Sequence, residues 1–236
     1  MRTLVQIFLD LETTGLELSD RICSVGFILE DTEKIDCYET LVKPSCKIKT
    51  EAMAVHHITN EQVAKASLFS DTELTELLNR HNNDNNILVA HNINFDLEML
   101  AREGFIWQGG IVDTLRCSRH LIEEIDRFSL QYLRYELGIY KSEEVKTKAL
   151  GITLQAHDAL SDAFHVQQLY HYLKEMVSED ELMRMSVEPA LLKKLNFGKY
   201  KSHYIEEVAA QDRGYLEWLL QQDIDEDLSF SIRHYL

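Results

Sequence analysis

A mostly apolar segment near the beginning of the chain constrains the fold more than any other feature. Residues 3–11 are Thr-Leu-Val-Gln-Ile-Phe-Leu-Asp-Leu, and the turn-forming residues 13–15, Thr-Thr-Gly, follow closely. A short apolar run that ends in a turn is typical of a strand buried on both faces. Asp10 and Glu12 lie at its carboxyl end. The segment therefore predicts a central strand that ends in two acidic side chains.

The rest of the pattern predicts an α/β domain built on a mixed sheet. Two further strands are expected at 21–29 and 35–42, joined at the acidic residues 30–33. Helical patterns then alternate with two short strands, at 87–90 and 111–113, which indicates a five-stranded mixed sheet flanked by helices. The predicted helices are a short one capped by Asn60, one from Ser70 or Asp71 to Arg80, then 94–103, 114–124, 129–137 and Ala159 to about 177 with Asp158 as N-cap, with a charged, non-periodic connection at 141–151.

The end of the chain predicts a second, small domain. Residues 178–189 are acidic at first and then irregular, which favours a linker, whereas residues 196–236 have a compact apolar pattern of their own. A chain of 236 residues is long enough for one ordinary domain and a small one. We therefore predict a main domain at 1–178, a linker at 179–194 and a C-terminal domain at 195–236.

Composition bears on the compartment and on the partners of the chain. The net charge of −16 opposes phosphate binding, because nucleic-acid affinity normally comes from Lys and Arg. Bound divalent cations would reverse the sign of the charge inside an acidic cleft, so a nucleic-acid substrate stays open. The four cysteines form no Cys-x-x-Cys pair, and we expect no signal peptide and no membrane span. These features favour a cytoplasmic protein with reduced thiols.

Two carboxylates at the end of the first strand are the first candidate site residues. Asp10 and Glu12 are two residues apart, so on a strand they point to the same face. Adjacent carboxylates repel and raise each other's pKa unless a cation lies between them. The alternative, solvated acids on an edge strand, fits poorly with the apolar residues around them. The turn at 13–16 could hold a terminal sugar hydroxyl and a base, or could be an ordinary strand-to-strand turn.

Three later residues supply further candidate groups. Asp96 is expected in the first turn of a helix, where an acid is often only a favourable charge at the N-terminus. The hydrogen-bond donors and the aromatic side chain beside it favour a functional role. His157 precedes the longest predicted helix and Asp162 lies in the first turn of that helix. A histidine in such a loop is free to move and to release a proton, although it could also be simply exposed.

Together, four carboxylates and one histidine meet the chemical requirements of phosphodiester hydrolysis. Two metal ions about 4 Å apart stabilise the attacking and leaving oxygens of an in-line displacement. Ligand sets made only of oxygen favour Mg²⁺ or Mn²⁺, and a neutral histidine can take a proton from water. The sequence therefore predicts a site for two Mg²⁺ or Mn²⁺ ions.

Three segments resemble the motifs of a known nuclease family. FLDLETTGL at 8–16, VAHNINFDLEML at 89–100 and HDALSDA at 157–163 are similar to the three motifs of the DnaQ-like, or DEDDh, 3′→5′ exonucleases. The resemblance covers about residues 1–178 and implies a ribonuclease H-like fold. His57 departs from the family pattern, which often has glycine at this position.

The resemblance implies a role for each candidate residue. Asp10 would bridge both metals, Glu12 and Asp162 would complete the tighter site, and Asp96 would help to hold the second metal. His157 would be the general base. The residues implied in contact with the 3′-terminal nucleotide are Thr13, Leu16, His56, Asn92 and Phe95.

The C-terminal segment FGKYKSHYIEEVAAQDRGYLEWLLQQ, at 197–222, resembles the tail domain of exodeoxyribonuclease X-like proteins. In that pattern Ser202 would be glycine and Arg213 would be proline. Lys199 and Lys201 are two apart on an expected strand, so they could contact phosphate or could be two solvated lysines. The side chains expected to form the small domain's core rather than a stacking platform are Tyr215, Trp218 and Leu219.

These observations favour a metal-dependent 3′→5′ exodeoxyribonuclease. The expected substrate is the 3′ end of single-stranded or frayed DNA, from which 5′-mononucleotides are released. DNA repair is the expected general role, and the pathway is left open. One alternative is an exoribonuclease of the same superfamily that acts on RNA or on short oligonucleotides. Another is a catalytically silent nucleic-acid-binding subunit. The oligomeric state is left open.

Overall fold

The computed structural model of the chain describes residues 4–122, 125 and 127–236. Within these residues, the strands are β1 Gln6–Thr13, β2 Ile22–Glu30, β3 Ile35–Leu41, β4 Ile87–Ala90 and β5 Gly110–Asp113. They form one sheet in the order β3-β2-β1-β4-β5. The pairs β1–β2 and β2–β3 are antiparallel, whereas β1–β4 and β4–β5 are parallel. The predicted five-stranded mixed sheet is confirmed.

The helices agree with the predictions in most places. They are α1 Thr50–His56, α2 Asn60–Val63, α3 Glu73–His81, α4 Ile93–Arg102, α5 Thr114–Leu121, α6 Leu130–Glu136, α7 Glu143–Leu150, α8 Ala159–Lys174, α9 Glu179–Val187, α10 Ile205–Gln211, α11 Arg213–Leu219 and α12 Glu226–Tyr235. None of these helices has the length and apolarity needed to cross a membrane. Thr3, where the first strand was predicted to begin, and Glu124, where a helix was predicted to end, lie outside the described residues.

Several helix predictions are wrong. The sequence did not predict α1, and the expected caps Asn60 and Ser70 or Asp71 are replaced by Thr59 for α2 and Thr72 for α3. The connection predicted at 141–151 contains α7. The irregular segment predicted at 178–189 contains α9, which is capped by the Ser178 side chain.

Helix α9 packs on the sheet. Leu182 is buried, and the Ser186 hydroxyl oxygen accepts a hydrogen bond of 2.8 Å from the backbone N–H of Asp113 at the end of β5. The segment predicted as a linker is therefore ordered over its helical part, because it covers the edge of the sheet. The bounds of the two domains stay a prediction.

The sheet has a hydrophobic cluster on each face. Ile7, Leu9 and Leu11 belong to one cluster, with side chains from α3 and α4. Phe8 belongs to the other, with Phe164 and Tyr170 of α8. Because side chains alternate along a strand, the even-numbered residues of β1 face α8. Asp10 and Glu12 therefore lie on the α8 side of the sheet.

Gly26 allows α8 to approach the sheet closely. This residue pairs with Asp10 across β1 and β2. A Cβ atom at Gly26 would lie 2.2 Å from the backbone nitrogen of Leu160 and 2.3 Å from the carbonyl carbon of Ala159. The first turn of α8 therefore rests directly on β2, which lowers Asp162 onto the face that carries Asp10.

The C-terminal region has its own hydrophobic cluster, which includes Leu195, Leu216 and Ile232. It is attached to α5 through one buried carboxylate of α12. Asp227 is fully buried and lies 3.3 Å from Arg116 Nε and 2.6 Å from Arg119 Nη1. Removing one partner from a buried ion pair is strongly destabilising, so these contacts hold the two parts of the chain together.

Three positions that depart from the resemblance keep the backbone that the family residue would favour. His57 and Ser202 stand in place of glycine, and their φ angles of 62° and 66° are left-handed. Arg213, in place of proline, is the first residue of α11, where proline is well accepted. The local turns therefore follow the family pattern although the side chains differ.

We expect Ser202→Gly to stabilise the protein by about 0.5–1 kcal/mol. A non-glycine residue in the left-handed region costs roughly 1–2 kcal/mol, and the added freedom of glycine in the unfolded chain offsets part of this. Urea denaturation measures the change. Ser129→Gly is the control, because Ser129 is also exposed but has a φ of −65°. Equal stabilisation by both substitutions would contradict this explanation.

Candidate metal centre

Three carboxylates from two elements meet above the sheet. Asp10 and Glu12 extend from β1 toward α8, and Asp162 extends from the first turn of α8. One potential ligand atom from each of the three lies within 4.8 Å of the others. All three side chains are half-buried. This spacing allows the three to share one cation.

The electrostatics of this cluster favour a bound cation. Burial raises the pKa of Asp10 well above its usual range, and the charges of Asp96, Asp162 and Glu12 raise it further. The pKa of Glu12 is raised to about 8, first by burial and then mainly by Asp162 and Asp158. A divalent cation would remove this repulsion, and an oxygen-only ligand set suits Mg²⁺ or Mn²⁺. The residues therefore fit a hard metal ion.

The raised pKa of Glu12 gives the metal-free protein a pH dependence. In the unfolded chain this carboxyl ionises near pH 4.5, whereas in the folded protein it keeps its proton to about pH 8. Folded protein therefore binds more protons in this interval, and its stability falls as the pH rises. For one group the loss is at most about 1.4 kcal/mol per pH unit.

Thermal denaturation in EDTA between pH 5 and pH 8.5 measures this dependence. We expect the midpoint temperature to fall with rising pH and to fall less steeply in Glu12→Gln. The variant is needed because the acidic chain as a whole also loses stability through self-repulsion at high pH. An identical slope in both proteins would contradict the assignment to Glu12.

Asp96 lies at a second position beside this cluster. It is in the first turn of α4 and is 5% exposed. Its charge raises the pKa of Asp10, and its own pKa is raised by burial and then by Asp113. Asp96 is not one of the three carboxylates that lie within 4.8 Å of one another. It is therefore suited to a neighbouring cation position.

Asp113 holds the turn before α4, although the sequence did not single it out as a site residue. Asn92 is exposed and has a left-handed φ of 71°, and its backbone N–H donates to Asp113 Oδ1 at 2.9 Å. Asp113 also caps α5 by accepting from the backbone N–H of Leu115. The sequence signals at this position are an aspartate between a short strand and a helix and the resemblance of VDTLRCSRHL, at 112–121, to the Asp-Thr-Leu segment of the family.

His56 supports the turn that follows β1. The ring is buried, its Nδ1 accepts from the backbone N–H of Ile58 at 3.0 Å, and its Nε2 lies 3.2 Å from the carbonyl oxygen of Thr13. A carbonyl only accepts, so Nε2 carries the proton. Both ring nitrogens are therefore engaged within the protein, which makes contact of His56 with a substrate base through these atoms unfavourable.

The same turn presents an apolar side chain to solvent. Thr13 Oγ1 donates to the Gly15 carbonyl at 2.8 Å, and a Cβ atom at Gly15 would lie 2.6 Å from Asp20 Oδ2. Leu16, which follows, is 83% exposed. A tight turn thus holds a leucine where it can contact a ligand. Phe95 of α4 is only partly exposed and packs against the core.

His157 lies in an exposed turn immediately before α8, and its φ of 54° is left-handed. The next residue, Asp158, caps α8 by accepting from Ser161, as predicted. His157 borders a cavity of about 420 Å³ that Glu39 and His56 also line. The imidazole therefore stands at an open cavity whose acidic lining residues are Glu39 and Asp158, whereas Asp10, Glu12 and Asp162 do not line this cavity.

A comparison with protein families identifies the main domain. The family model described as Exonuclease (RNase_T) matches residues 7–170, which include Asp10, Glu12, Asp96 and Asp162. The chain belongs to this exonuclease family. A second model, described as Exodeoxyribonuclease X-like C-terminal, matches residues 195–223 of the exonuclease. The resemblance inferred from the sequence motifs is confirmed at both ends of the chain.

Known proteins resemble this exonuclease along most of its length. Exodeoxyribonuclease 10 of Escherichia coli K12 is 28% identical over 233 residues, which cover 97% of each chain. A PolC-type DNA polymerase III of Thermotoga petrophila is 29% identical over 187 residues, covering 76% of this chain and 12% of the polymerase. A structure of exonuclease X with 5′-overhanging duplex DNA has a TM-score of 0.57 and 24% identity, covering 78% of this chain and 99% of that chain.

These matches confirm the ribonuclease H-like fold. The family depends on divalent metal ions, in agreement with the acidic cluster of this exonuclease.

The predicted strand for Lys199 and Lys201 is wrong, because both lie in a turn before α10. Lys199 Nζ lies 2.9 Å from Asp212 Oδ2, and both lysines are exposed. Leu219 is buried as predicted, whereas Trp218 is 51% exposed and therefore not a core residue of the exonuclease's tail. The phosphate contacts of the two lysines stay a prediction.

Proposed function

We propose that the chain is a metal-dependent 3′→5′ exodeoxyribonuclease that acts on single-stranded or frayed DNA and releases 5′-mononucleotides. The observation that carries the proposal is the group of carboxylate oxygens of Asp10, Glu12 and Asp162 within 4.8 Å of one another, with Asp96 beside them. The choice of DNA is supported by similarity to exodeoxyribonuclease 10 along both parts of the chain.

Two ions of Mg²⁺ or Mn²⁺ are proposed for the site. Asp10, Glu12 and Asp162 would hold one ion, and Asp10 and Asp96 would hold the other. When bound, such ions make water more acidic and neutralise charge on the reacting phosphate. The carboxylates of the chain would contribute by holding the two ions in place before the substrate binds. Cations bound in this cleft would make the −16 charge of the chain compatible with a phosphate substrate.

His157 is proposed as the general base. Its imidazole takes a proton from the attacking water, whose oxygen bonds to the terminal phosphorus as the bond to the preceding 3′ oxygen breaks. The leaving 3′ oxygen takes a proton from solvent, and His157 passes its own proton to solvent, so the protons balance. Its exposed position suits this exchange, because the ring borders an open cavity. General bases of this kind contribute typically about 10²–10⁴-fold.

The terminal nucleotide is proposed to lie between two turns. Leu16 offers an exposed apolar side chain for the base, and Thr13 lies in the turn beside it. Asn92 is exposed in the left-handed turn before α4, and Phe95 offers part of its ring one helical turn later. The 3′ nucleotide must leave its partner to enter such a cleft, which favours single-stranded or frayed ends. His56 would act indirectly, by fixing the turn of Thr13.

The test uses three 5′-labelled substrates of one sequence: single-stranded DNA, duplex DNA and RNA. Each is incubated with the full chain and Mg²⁺ or Mn²⁺. A ladder of labelled strands that shortens from the 3′ end of single-stranded DNA is the expected result. A ladder on RNA alone would instead establish the exoribonuclease alternative, because the 2′-hydroxyl distinguishes the two substrates.

A silent binding subunit would give no ladder on any substrate and no stabilisation by Mn²⁺ in a thermal shift experiment. The presence of Asp10, Glu12, Asp96, His157 and Asp162 argues against this alternative. The Asp10→Asn variant, purified in parallel, controls for contaminating nucleases.

A further inference from the structure

A chain of polar side chains runs from α7 through α6 to Asp162. Glu143 is buried and accepts two hydrogen bonds from Arg134, of 2.6 Å from Nε and 2.5 Å from Nη2. Arg134 Nη1 donates to Gln131 Oε1 at 2.9 Å, and Gln131 Nε2 donates to Asp162 Oδ1 at 2.7 Å. Three consecutive contacts therefore link the Arg134–Glu143 ion pair to a carboxylate of the acidic cluster.

The groups on either side of Gln131, a guanidinium and a carboxylate, fix the direction of these hydrogen bonds. A guanidinium only donates, so it must meet the carbonyl oxygen of the Gln131 amide. A carboxylate only accepts, so it must meet the amide nitrogen. Flipping the amide would break both bonds at once. The Arg134–Glu143 pair therefore holds Gln131 in the single orientation that donates to Asp162.

One oxygen of Asp162 is enclosed by this arrangement. Besides Gln131, the buried His165 lies close to it, with Nδ1 3.3 Å from Asp162 Oδ1 and 3.2 Å from Gln131 Nε2. A carboxylate with Oδ1 bonded on the protein side keeps its second oxygen for a cation. Hydrogen bonds to a ligating carboxylate orient it, and losing them typically costs about 10–100-fold in metal affinity or activity.

We propose that Gln131 is a positioning residue that orients Asp162 for metal binding, and that Arg134 and Glu143 act through it. This inference rests on the proposed function, since it takes Asp162 as a metal ligand. It goes beyond that function by assigning control of the site to α6 and α7, which contribute no ligand themselves.

The test compares Mn²⁺ binding by isothermal titration calorimetry in the full chain and in Gln131→Met. Methionine has about the length and volume of glutamine but lacks the amide donor. We expect the Mn²⁺ dissociation constant to rise by about 10–100-fold, with a parallel rise in the Mn²⁺ concentration needed for half-maximal cleavage. Cleavage at saturating Mn²⁺ should recover most of the wild-type rate. If Gln131→Met does not fold, Gln131→Ala is measured in its place.

Gln168→Met is the matched control. Gln168 is buried, lies on α8, and bonds to Lys146 of α7 and to Gln167, so it links α7 to α8 without contact to Asp162. We expect its Mn²⁺ dissociation constant to change less than about twofold, because no bond to a ligand is lost. An unchanged constant in Gln131→Met, or an equal rise in Gln168→Met, would overturn the proposal.

A double-mutant cycle tests the order of the contacts. Arg134→Ala should weaken Mn²⁺ binding, and adding it to Gln131→Met should weaken binding no further, because contacts in series are not additive. Additive losses would show that Arg134 does not act through Gln131. A wild-type chain that neither binds Mn²⁺ nor cleaves DNA would overturn the proposed function as well. A wild-type chain that does both, with Gln131→Met unchanged, would overturn this inference alone.

Discussion

Asp10→Asn is expected to abolish most of the nuclease activity and, in the same molecule, to stabilise the metal-free fold. Asp10 is the proposed ligand of both ions, and the charge stabilisation that such ions supply amounts to several kcal/mol. Each 1.36 kcal/mol corresponds to tenfold in rate, so a loss of at least about 10³-fold is expected. Stability should change in the opposite direction, because burial and four neighbouring carboxylates disfavour the charged form of Asp10.

Two measurements on the same preparation check this expectation. Cleavage of labelled single-stranded DNA gives the activity, and thermal denaturation in EDTA at pH 8 gives the stability. Each kcal/mol of relieved repulsion should raise the midpoint temperature by about 2–4 °C. The rise that Mn²⁺ causes in the wild type should shrink in Asp10→Asn.

Asp84→Asn, at an exposed carboxylate in the loop before β4, is the control and should change neither quantity. Loss of both activity and stability in Asp10→Asn would mean that Asp10 has a structural role instead.

His157→Asn is expected to lower the rate of cleavage by about 10²–10⁴-fold, the usual contribution of a general base. Asparagine is chosen because it tolerates the left-handed backbone that His157 adopts, with its φ of 54°. The loop should therefore keep its conformation while the titratable ring is removed. The carboxylates are untouched, so the Mn²⁺ dissociation constant should stay close to that of the wild type.

His57→Asn is the matched control for this substitution. His57 is also an exposed histidine with a left-handed φ, of 62°, and it lines the same cavity, but it follows α1 as the C-cap of that helix. Its substitution should alter the rate by less than about threefold, far below the contribution of a general base. If the two histidine variants lose activity equally, the proposed role of His157 is wrong.

The parts of the fold that the sequence predicted are those with a strong local pattern. The apolar runs at β1, β2 and β4 and the capped α8 have the right type and nearly the right ends. Helix α7 was missed because it shows little apolar periodicity. Val145 is exposed, and the helix is anchored through the buried Glu143 and its partner Arg134. An ion pair between distant residues leaves no periodic signal in the sequence.

Some residues of the candidate site could likewise be placed from a local pattern, whereas others could not. Asp10 and Glu12 could be placed on one face from their spacing, and Asp162 could be placed in a helix turn from its cap. The roles of Asp113 and Gln131 depend on contacts with residues 21 and 31 positions away, which no local pattern encodes. The acidic start of α9 was interpreted as a linker, although acids after Ser178 are also a helix N-terminal signal.

Gly26 has a consequence for judging related sequences. It has no chemical group of its own, yet any side chain there would collide with the backbone at the start of α8. A chain could therefore keep Asp10, Glu12, Asp96, His157 and Asp162 and still be inactive because a methyl group at this position lifts Asp162 away. A comparison of the catalytic residues alone would classify such a variant as an active enzyme. A residue other than glycine at position 26 would identify it as a pseudoenzyme.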